Sequence, residues 1–202
     1  VEDWCKISFG GENSNPVKYS GKIYMLNENN ESYEVKEMII PDTITVIGQY
    51  QFYGFKNVTK IVLPKTITEI RGYAFYNCSS IEEIELPDTL EYLGGEAFYG
   101  ATSLRKVKLS NKLTEIRGST FENCTSLTSL ELSNFNTSKV RSFGGGGESI
   151  FRNCSSLTTL DLSSFDTSSA TSMYEMFYGC SKLTSIIFGN NSHMVGIYPF
   201  FI

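Results

Sequence analysis

One histidine, one tryptophan and five prolines occur in 202 residues, and the sequence has neither a long apolar run nor a cluster of basic residues. Each shortage excludes something. A Ser–His–Asp or Cys–His relay would have to be assembled around His193, the single histidine, which sits near the end of the chain. Clusters with metal-ligand spacing are missing, so no metal or other cofactor is implied. The apolar stretches are too short for a membrane span. The net charge of −5, with no Lys/Arg-rich segment to offset it, argues against a nucleic-acid partner. Residues 1–20 lack the basic start and apolar core of a secretory signal, so any such signal is expected to have been removed. Five cysteines, at 5, 78, 124, 154 and 180, match neither a zinc knuckle nor a Cys-x-x-Cys pair. Their odd number also fits poorly with a closed disulfide framework.

What is present is a repeat. The composition, 41% apolar and 19% charged, is ordinary for one folded unit. Ile40, Leu63, Leu86, Leu109, Leu132, Leu162 and Phe188 form a series with separations of 23, 23, 23, 23, 30 and 26. A second series is Phe52, Phe75, Phe98, Phe121, Phe151 and Phe177, and each member lies 11 residues before an anchor of the first series. All length variation therefore falls between an anchor and the next Phe. Such self-similarity is the mark of a solenoid, in which every coil has a rigid half and an elastic half.

Other positions keep phase. Met38, Ile61, Ile84, Val107, Leu130, Leu160 and Ile186 precede the anchors by two, with polar or exposed-type residues mostly between, as in a half-buried strand. Two residues after each Phe stands Gly54, Asn77, Gly100, Asn123, Asn153 or Gly179. Only Gly and Asn occur there, which predicts a left-handed turn ending a short helical segment. One residue further come Phe55, Cys78, Ala101, Cys124, Cys154 and Cys180, read as a buried ladder of reduced thiols, with oxidation or metal binding as the alternative. Pro41, Pro64 and Pro87 follow the first three anchors and end ladder pairing there. Four glycines at 144–147 account for the longest coil. They read as a loop insertion rather than a phosphate cradle, because no GK[ST] follows and no strand-to-helix context surrounds them.

These motifs carry a resemblance. The segments LPKTITEIRGYAFYNCSSIEEIEL and LPDTLEYLGGEAFYGATSLRKVKL resemble BspA-type leucine-rich repeats, and LDLSSFDTSSATSMYEMFYGCSKLTSI resembles a Ser-Phe-Asp-Thr-Ser variant of them. The match spans about residues 35–188; Ala101 and the glycine insertion depart from the pattern. The resemblance implies a right-handed leucine-rich-repeat solenoid, rich in β-strand with short helical or 3-10 turns. It also implies a cell-surface or secreted location in a host-associated microbe, and adhesion-type binding without catalytic residues.

The ends differ. Residues 1–34 leave the repeat, and WCKISF, KYSGKIYML and SYEVKEM are expected as short strands of a β cap or inter-array segment. Residues 189–202 end in the apolar MVGIYPFFI, expected as a C-terminal cap or tail on the last coil, with a contact to a further domain or second copy as the alternative.

Two surfaces qualify for partners, the alternative being a structural spacer in a larger surface protein. The outward positions of the repeated strand include Val62, Glu83, Glu85, Lys106, Lys108, Glu131 and Asp161, a face suited to a protein ligand such as a host or matrix protein. The same alternation of charge also stabilises a sheet by itself. Tyr53, Tyr76, Tyr99 and Tyr178, each directly after a repeat Phe, form a second candidate surface for protein or glycan; their blander role is to cover the outer edge of each coil. Glu82 and Glu83 are adjacent and expected on opposite faces, so they make no acid–base pair. Asp166 and Asn136 suit a hydrogen-bonded turn better than a calcium site. The sequons at Asn77, Asn123 and Asn153 coincide with the turn position itself, so they do not report glycosylation.

Overall fold

The structure, a computed structural model, describes residues 1–113, 116–132, 142–144, 149–166, 172–173 and 175–190. Within these the chain winds as a β-solenoid. The strands preceding each anchor are β3 (Glu37–Ile39), β5 (Lys60–Val62), β7 (Glu83–Glu85), β9 (Lys106–Lys108) and β10 (Ser129–Glu131), and they form one five-stranded sheet. All pairs are parallel, and the register follows the repeat: Glu37 faces Lys60, Lys60 faces Glu83, Glu83 faces Lys106 and Lys106 faces Ser129. Met38, Ile61, Ile84, Val107 and Leu130 point inward and are buried. The last two members of the series, β12 (Thr159–Leu162) and β14 (Ser185–Phe188), pair with each other.

A second sheet was not expected from the sequence. β4 (Val46–Ile47), β6 (Glu69–Ile70) and β8 (Tyr92–Leu93) pair in parallel within the elastic half of the coil. Its signal is the 23-residue recurrence of Ile44, Ile67, Leu90 and Leu113, and of Ile47, Ile70, Leu93 and Ile116, all of them buried. Two-residue strands are too short to show alternation, so the period-2 criterion could not find them. β11 (Ser142–Gly144) and β13 (Ser172–Met173) pair separately. The prolines act as expected: Pro41, Pro64 and Pro87 each offer a carbonyl to the amide three residues on (Ile44, Ile67 and Leu90), turning the chain out of the first sheet.

The third side of each coil carries the Phe. Short helical or 3-10 turns were expected here, and the chain forms consecutive turns in which an amide bonds the carbonyl three residues back. Amides at alternate positions bond within the coil, Gln51 to Gly48, Tyr53 to Tyr50 and Phe55 to Phe52. The intervening ones bond the next coil: Tyr50 to Gly72, Phe52 to Ala74 at 2.8 Å and Gly54 to Tyr76 at 2.7 Å. A helix would use every amide inside its own coil; this arrangement leaves half of them to knit neighbours together. The Gly/Asn position is left-handed in all six coils, with φ between 55° and 75°. A second left-handed position, two residues before the Phe, holds Tyr50, Tyr73, Glu96, Ser119 and Glu175 and was not legible from residue type. In the first three of these the residue's own amide bonds the next coil, which offsets the cost of that backbone region.

Packing follows from the stack. The rings of Phe52, Phe75, Phe98, Phe121, Phe151 and Phe177 run face to face through the core with interplanar angles of 11° or less. Each such burial contributes roughly 2–3 kcal/mol by transfer from water. The thiols are free, and four of them form a regular ladder: Cys78 donates to the Phe52 carbonyl, Cys124 to Phe98, Cys154 to Phe121 and Cys180 to Phe151, at 3.0–3.2 Å. Burial pushes the Cys78 and Cys124 thiols up to about 12. They are hydrogen-bond donors in the core rather than reactive groups.

The start of the chain is less β-rich than its sequence suggested. WCKISF contributes α1 (Glu2–Cys5), residues Glu12–Ser14 form a 3-10 turn, and Lys18–Ser20 belong to α2 (Val17–Ser20). Only β1 (Tyr24–Leu26) and β2 (Ser32–Glu34) pair, as an antiparallel hairpin. On the turn side every coil accepts bonds from the coil before it, and the first coil has no predecessor. Side chains stand in. The Trp4 indole N–H donates to the Gln51 carbonyl at 2.8 Å, and buried Asn15 donates to the carbonyls of Tyr50 and Gln51. The Trp4 ring also packs on Phe55, 5.5 Å between centroids. The expectations for residues 191–202, for His193, for Asn136 and for glycines 145–147 lie outside the described residues.

Candidate functional site

The outward face of the five-stranded sheet takes its chemistry from one residue in two. Glu37, Lys60, Glu83 and Lys106 form one exposed column, and Ile39, Val62, Glu85 and Lys108 form the next. The first alternates in sign at every strand. Lys60 Nζ lies 2.8 Å from Glu37 Oε1, and this carboxylate raises the lysine's proton affinity. The second column begins apolar: Ile39 is 65% exposed, and Val62 lies beside it in register.

The two central strands differ in sign along their length. β7 with the residue before it reads Glu82, Glu83, Ile84, Glu85, and β9 with the residue before it reads Arg105, Lys106, Val107, Lys108. Glu82 was expected to alternate with Glu83 along a strand, but it stands outside β7 (Glu83–Glu85). It lies one residue ahead of β7, is exposed, and faces Arg105 at 3.6 Å. Two shallow depressions open on this part of the face. One is lined by Lys65, Glu83, Glu85, Asp88, Lys106 and Lys108, the other by Lys60, Val62, Glu83 and Glu85 among others. Asp161 is exposed on β12, and hydrogen bonds from the Ser163 hydroxyl and from the Ser163 amide, the latter at 2.8 Å, lower its pKa. Glu131 is in register with Lys108, and its side chain lies outside the described residues.

The tyrosines are brought together, but on one another. Tyr53, Tyr76 and Tyr99 stack at 4.9 and 4.6 Å with interplanar angles of 2° and 1°. Tyr50 and Tyr73 form a parallel pair beside them at 4.9 Å. Tyr53 is buried, its hydroxyl donating to Glu12 at 2.8 Å, and Tyr73 donates to Glu96 at the same distance. The Glu96 acceptor together with partial burial pushes Tyr73 up to about 12; burial, then the Tyr99 neighbour, does the same for Tyr76. Tyr178 stands apart, 44% exposed, with the Arg152 guanidinium 5.0 Å over its ring. Ring faces that a sugar would need are thus occupied by neighbouring rings in the regular coils.

Among the described residues no three His, Cys, Asp or Glu side chains come together as metal ligands, and no helix is long and apolar enough to cross a membrane. A parallel β-solenoid with a Phe-centred turn, a thiol-to-carbonyl ladder and an open sheet face defines a leucine-rich-repeat architecture. The family model for the BspA type leucine rich repeat region matches in six copies over residues 29–146 and 140–201, and the chain belongs to this family. The solved T. pallidum leucine-rich-repeat protein is similar in fold, with a TM-score of 0.58 at 21% identity over 82% of this chain and 89% of that one. A leucine-rich-repeat protein of Eubacterium ventriosum aligns with 87% of this chain and 52% of its own, at 18% identity and a TM-score of 0.47. No curated protein is matched. The family and fold define a repeat module for binding or structural support.

Proposed function

We propose that this chain is a non-catalytic, adhesion-type binding module of a surface or secreted protein, and that a protein ligand docks on the outward face of the five-stranded sheet. The observation that carries the reading is the exposed array of Val62, Glu83, Glu85, Lys106 and Lys108, with two depressions opening on it. Alternating charge selects a partner by register, while exposed Ile39 and Val62 supply apolar contact at one end. The family resemblance supports a host-associated setting and a host or matrix protein as ligand. Residues 1–34 serve as the cap that closes the first coil. The glycan reading through Tyr53, Tyr76 and Tyr99 has less support, because those rings stack face to face.

The test is binding of the folded chain to a panel of purified extracellular-matrix proteins, with a Glu85→Lys, Lys108→Glu, Glu131→Lys variant alongside. The expected result is saturable binding to at least one protein, weakened tenfold or more in the variant. Unchanged affinity would remove the sheet face from the proposal. A glycan array that responds to the folded chain and loses its signal in Tyr178→Ala would favour the tyrosine surface instead.

A further inference from the structure

The charges on the two central strands have a symmetry of their own. Glu82, Glu83 and Glu85 are all acidic, while Arg105, Lys106 and Lys108, at the matching positions one strand away, are all basic. The register sets Glu83 opposite Lys106 and Glu85 opposite Lys108, and Arg105 lies 3.6 Å from Glu82. All six side chains lie on the outer surface. An acidic strand beside a basic strand of equal length is self-complementary under a two-fold rotation.

We infer that a second copy of this chain docks on the sheet face, related by a two-fold axis that runs parallel to the strands midway between β7 and β9. This goes beyond the binding reading above: a second copy is a partner distinct from the foreign protein proposed there, on the same face. Such an axis reverses the order of coils while preserving the level along each strand. It lays β7 over the partner's β9, so that Glu83 meets the partner's Lys106 and Glu85 meets the partner's Lys108. The reciprocal contacts follow by symmetry, as in any isologous dimer. The other face-to-face two-fold, along the solenoid axis, would set Glu83 against the partner's Glu85 and Lys106 against the partner's Lys108. Like charges in contact oppose that arrangement. Charge therefore selects one orientation of two.

The expected strength follows from size. Five strands spaced about 4.8 Å apart and three residues long make a patch of about 25 by 10 Å. That is well below the roughly 800 Å² per partner of a standard stable interface. The dimer is weak and salt-sensitive, and it matters where copies are held side by side at high local concentration.

Sedimentation equilibrium of the whole chain, at low and at high salt, tests this with two triple variants. One carries Glu82→Lys, Glu83→Lys and Glu85→Lys, and the other Arg105→Glu, Lys106→Glu and Lys108→Glu. The wild type should move from monomer toward dimer mass at the highest concentrations in low salt and return to monomer in high salt. Each variant alone should stay monomeric, and an equimolar mixture should associate at least tenfold more tightly than wild type. That rescue in the mixture also shows that both variants fold. A wild type that stays monomeric throughout, or a mixture no tighter than its components, overturns the dimer. If the variants nonetheless lose binding to a matrix protein, the dimer fails while the proposed foreign ligand stands. If charge reversal abolishes self-association and leaves matrix binding unaltered, the dimer stands and the foreign ligand on this face fails.

Discussion

In the 23-residue coils the rings of Phe52, Phe75, Phe98 and Phe121 lie 5.4, 5.2 and 5.7 Å apart, whereas across the 30- and 26-residue coils Phe121, Phe151 and Phe177 stand 6.3 and 6.0 Å apart. The bond from each Phe amide to the next coil lengthens in the same direction. It is 2.8 Å at Phe52 and Phe75, 3.0 Å at Phe98 and 3.2 Å at Phe121. Two residues later the disturbance has gone: the corresponding amides of Gly54, Asn77, Gly100, Asn123 and Asn153 all bond at 2.7–2.9 Å. Extra residues in the return path thus loosen the stack where that path arrives and leave the turn intact. The turn is held twice, by the coil-to-coil amides and by the thiol reaching back to the preceding Phe carbonyl. Surface order follows the same division. The tyrosine stack belongs to the regular coils, while Glu122 and Arg152 take its place further on.

The largest effect that separates the halves is a cavity. Phe98→Ala is expected to cost about 4 kcal/mol in urea unfolding, and Phe151→Ala about 1 kcal/mol less, because the wider stack around Phe151 collapses more easily into the space. Equal losses would break the comparison. The turn should show no such difference. A Cβ at Gly100 or Gly179 would collide with the side-chain oxygen of Asn77 or Asn153, at φ of 69° and 75°. Both Gly100→Ala and Gly179→Ala should therefore cost about 1–3 kcal/mol; a loss confined to one half would show that the turn is not equally rigid in both.

Smaller effects belong to the ladder. Cys124→Ala removes the thiol donor to Phe98 and should cost about 1 kcal/mol, leaving the coil with the residue that Ala101 already provides one coil earlier. Cys78 and Cys124, raised to about 12, should resist alkylation until the chain unfolds, while Cys5, only partly buried, reacts first. Modification of Cys78 at the rate of Cys5 in the native protein would contradict the buried ladder. The mildest expectation concerns alkali. Tyr73 and Tyr76 titrate near 12 when folded, above the ordinary value of 10. Their contribution is complete below pH 10 and is lost as the pH rises through about 12, since the unfolded chain ionises first. Absorbance of tyrosinate should therefore lag in the folded protein between those values. A lag missing for these residues would mean that neither the Glu96 acceptor nor burial in the stack holds their protons.

Much of this was legible because a solenoid repeats one local solution. Recurrence at 23 residues located the buried Phe column, the strand, the Gly/Asn turn and the thiol ladder without any knowledge of contacts. The second sheet carried the same recurrence through Ile47, Ile70 and Leu93, but its two-residue strands leave no alternation to detect. The left-handed Tyr50, Tyr73 and Glu96 were hidden for another reason: residue type disfavours that backbone, and bonding to the next coil overrides it. In the candidate face, the columns could be read from the strand period, except at Glu82, which precedes the strand and follows no such rule. The cap was hardest, since Trp4 and Asn15 act on carbonyls 47 and 35 residues away.

By itself, then, the sequence determined the coil: spacing and residue type are enough when each unit buries the same face against a copy of itself. Only the tertiary structure decided how coils meet. Which amides cross to the neighbour, whether tyrosines offer their faces or spend them on each other, and which side chains close the open end all depend on distances between residues that no local pattern encodes.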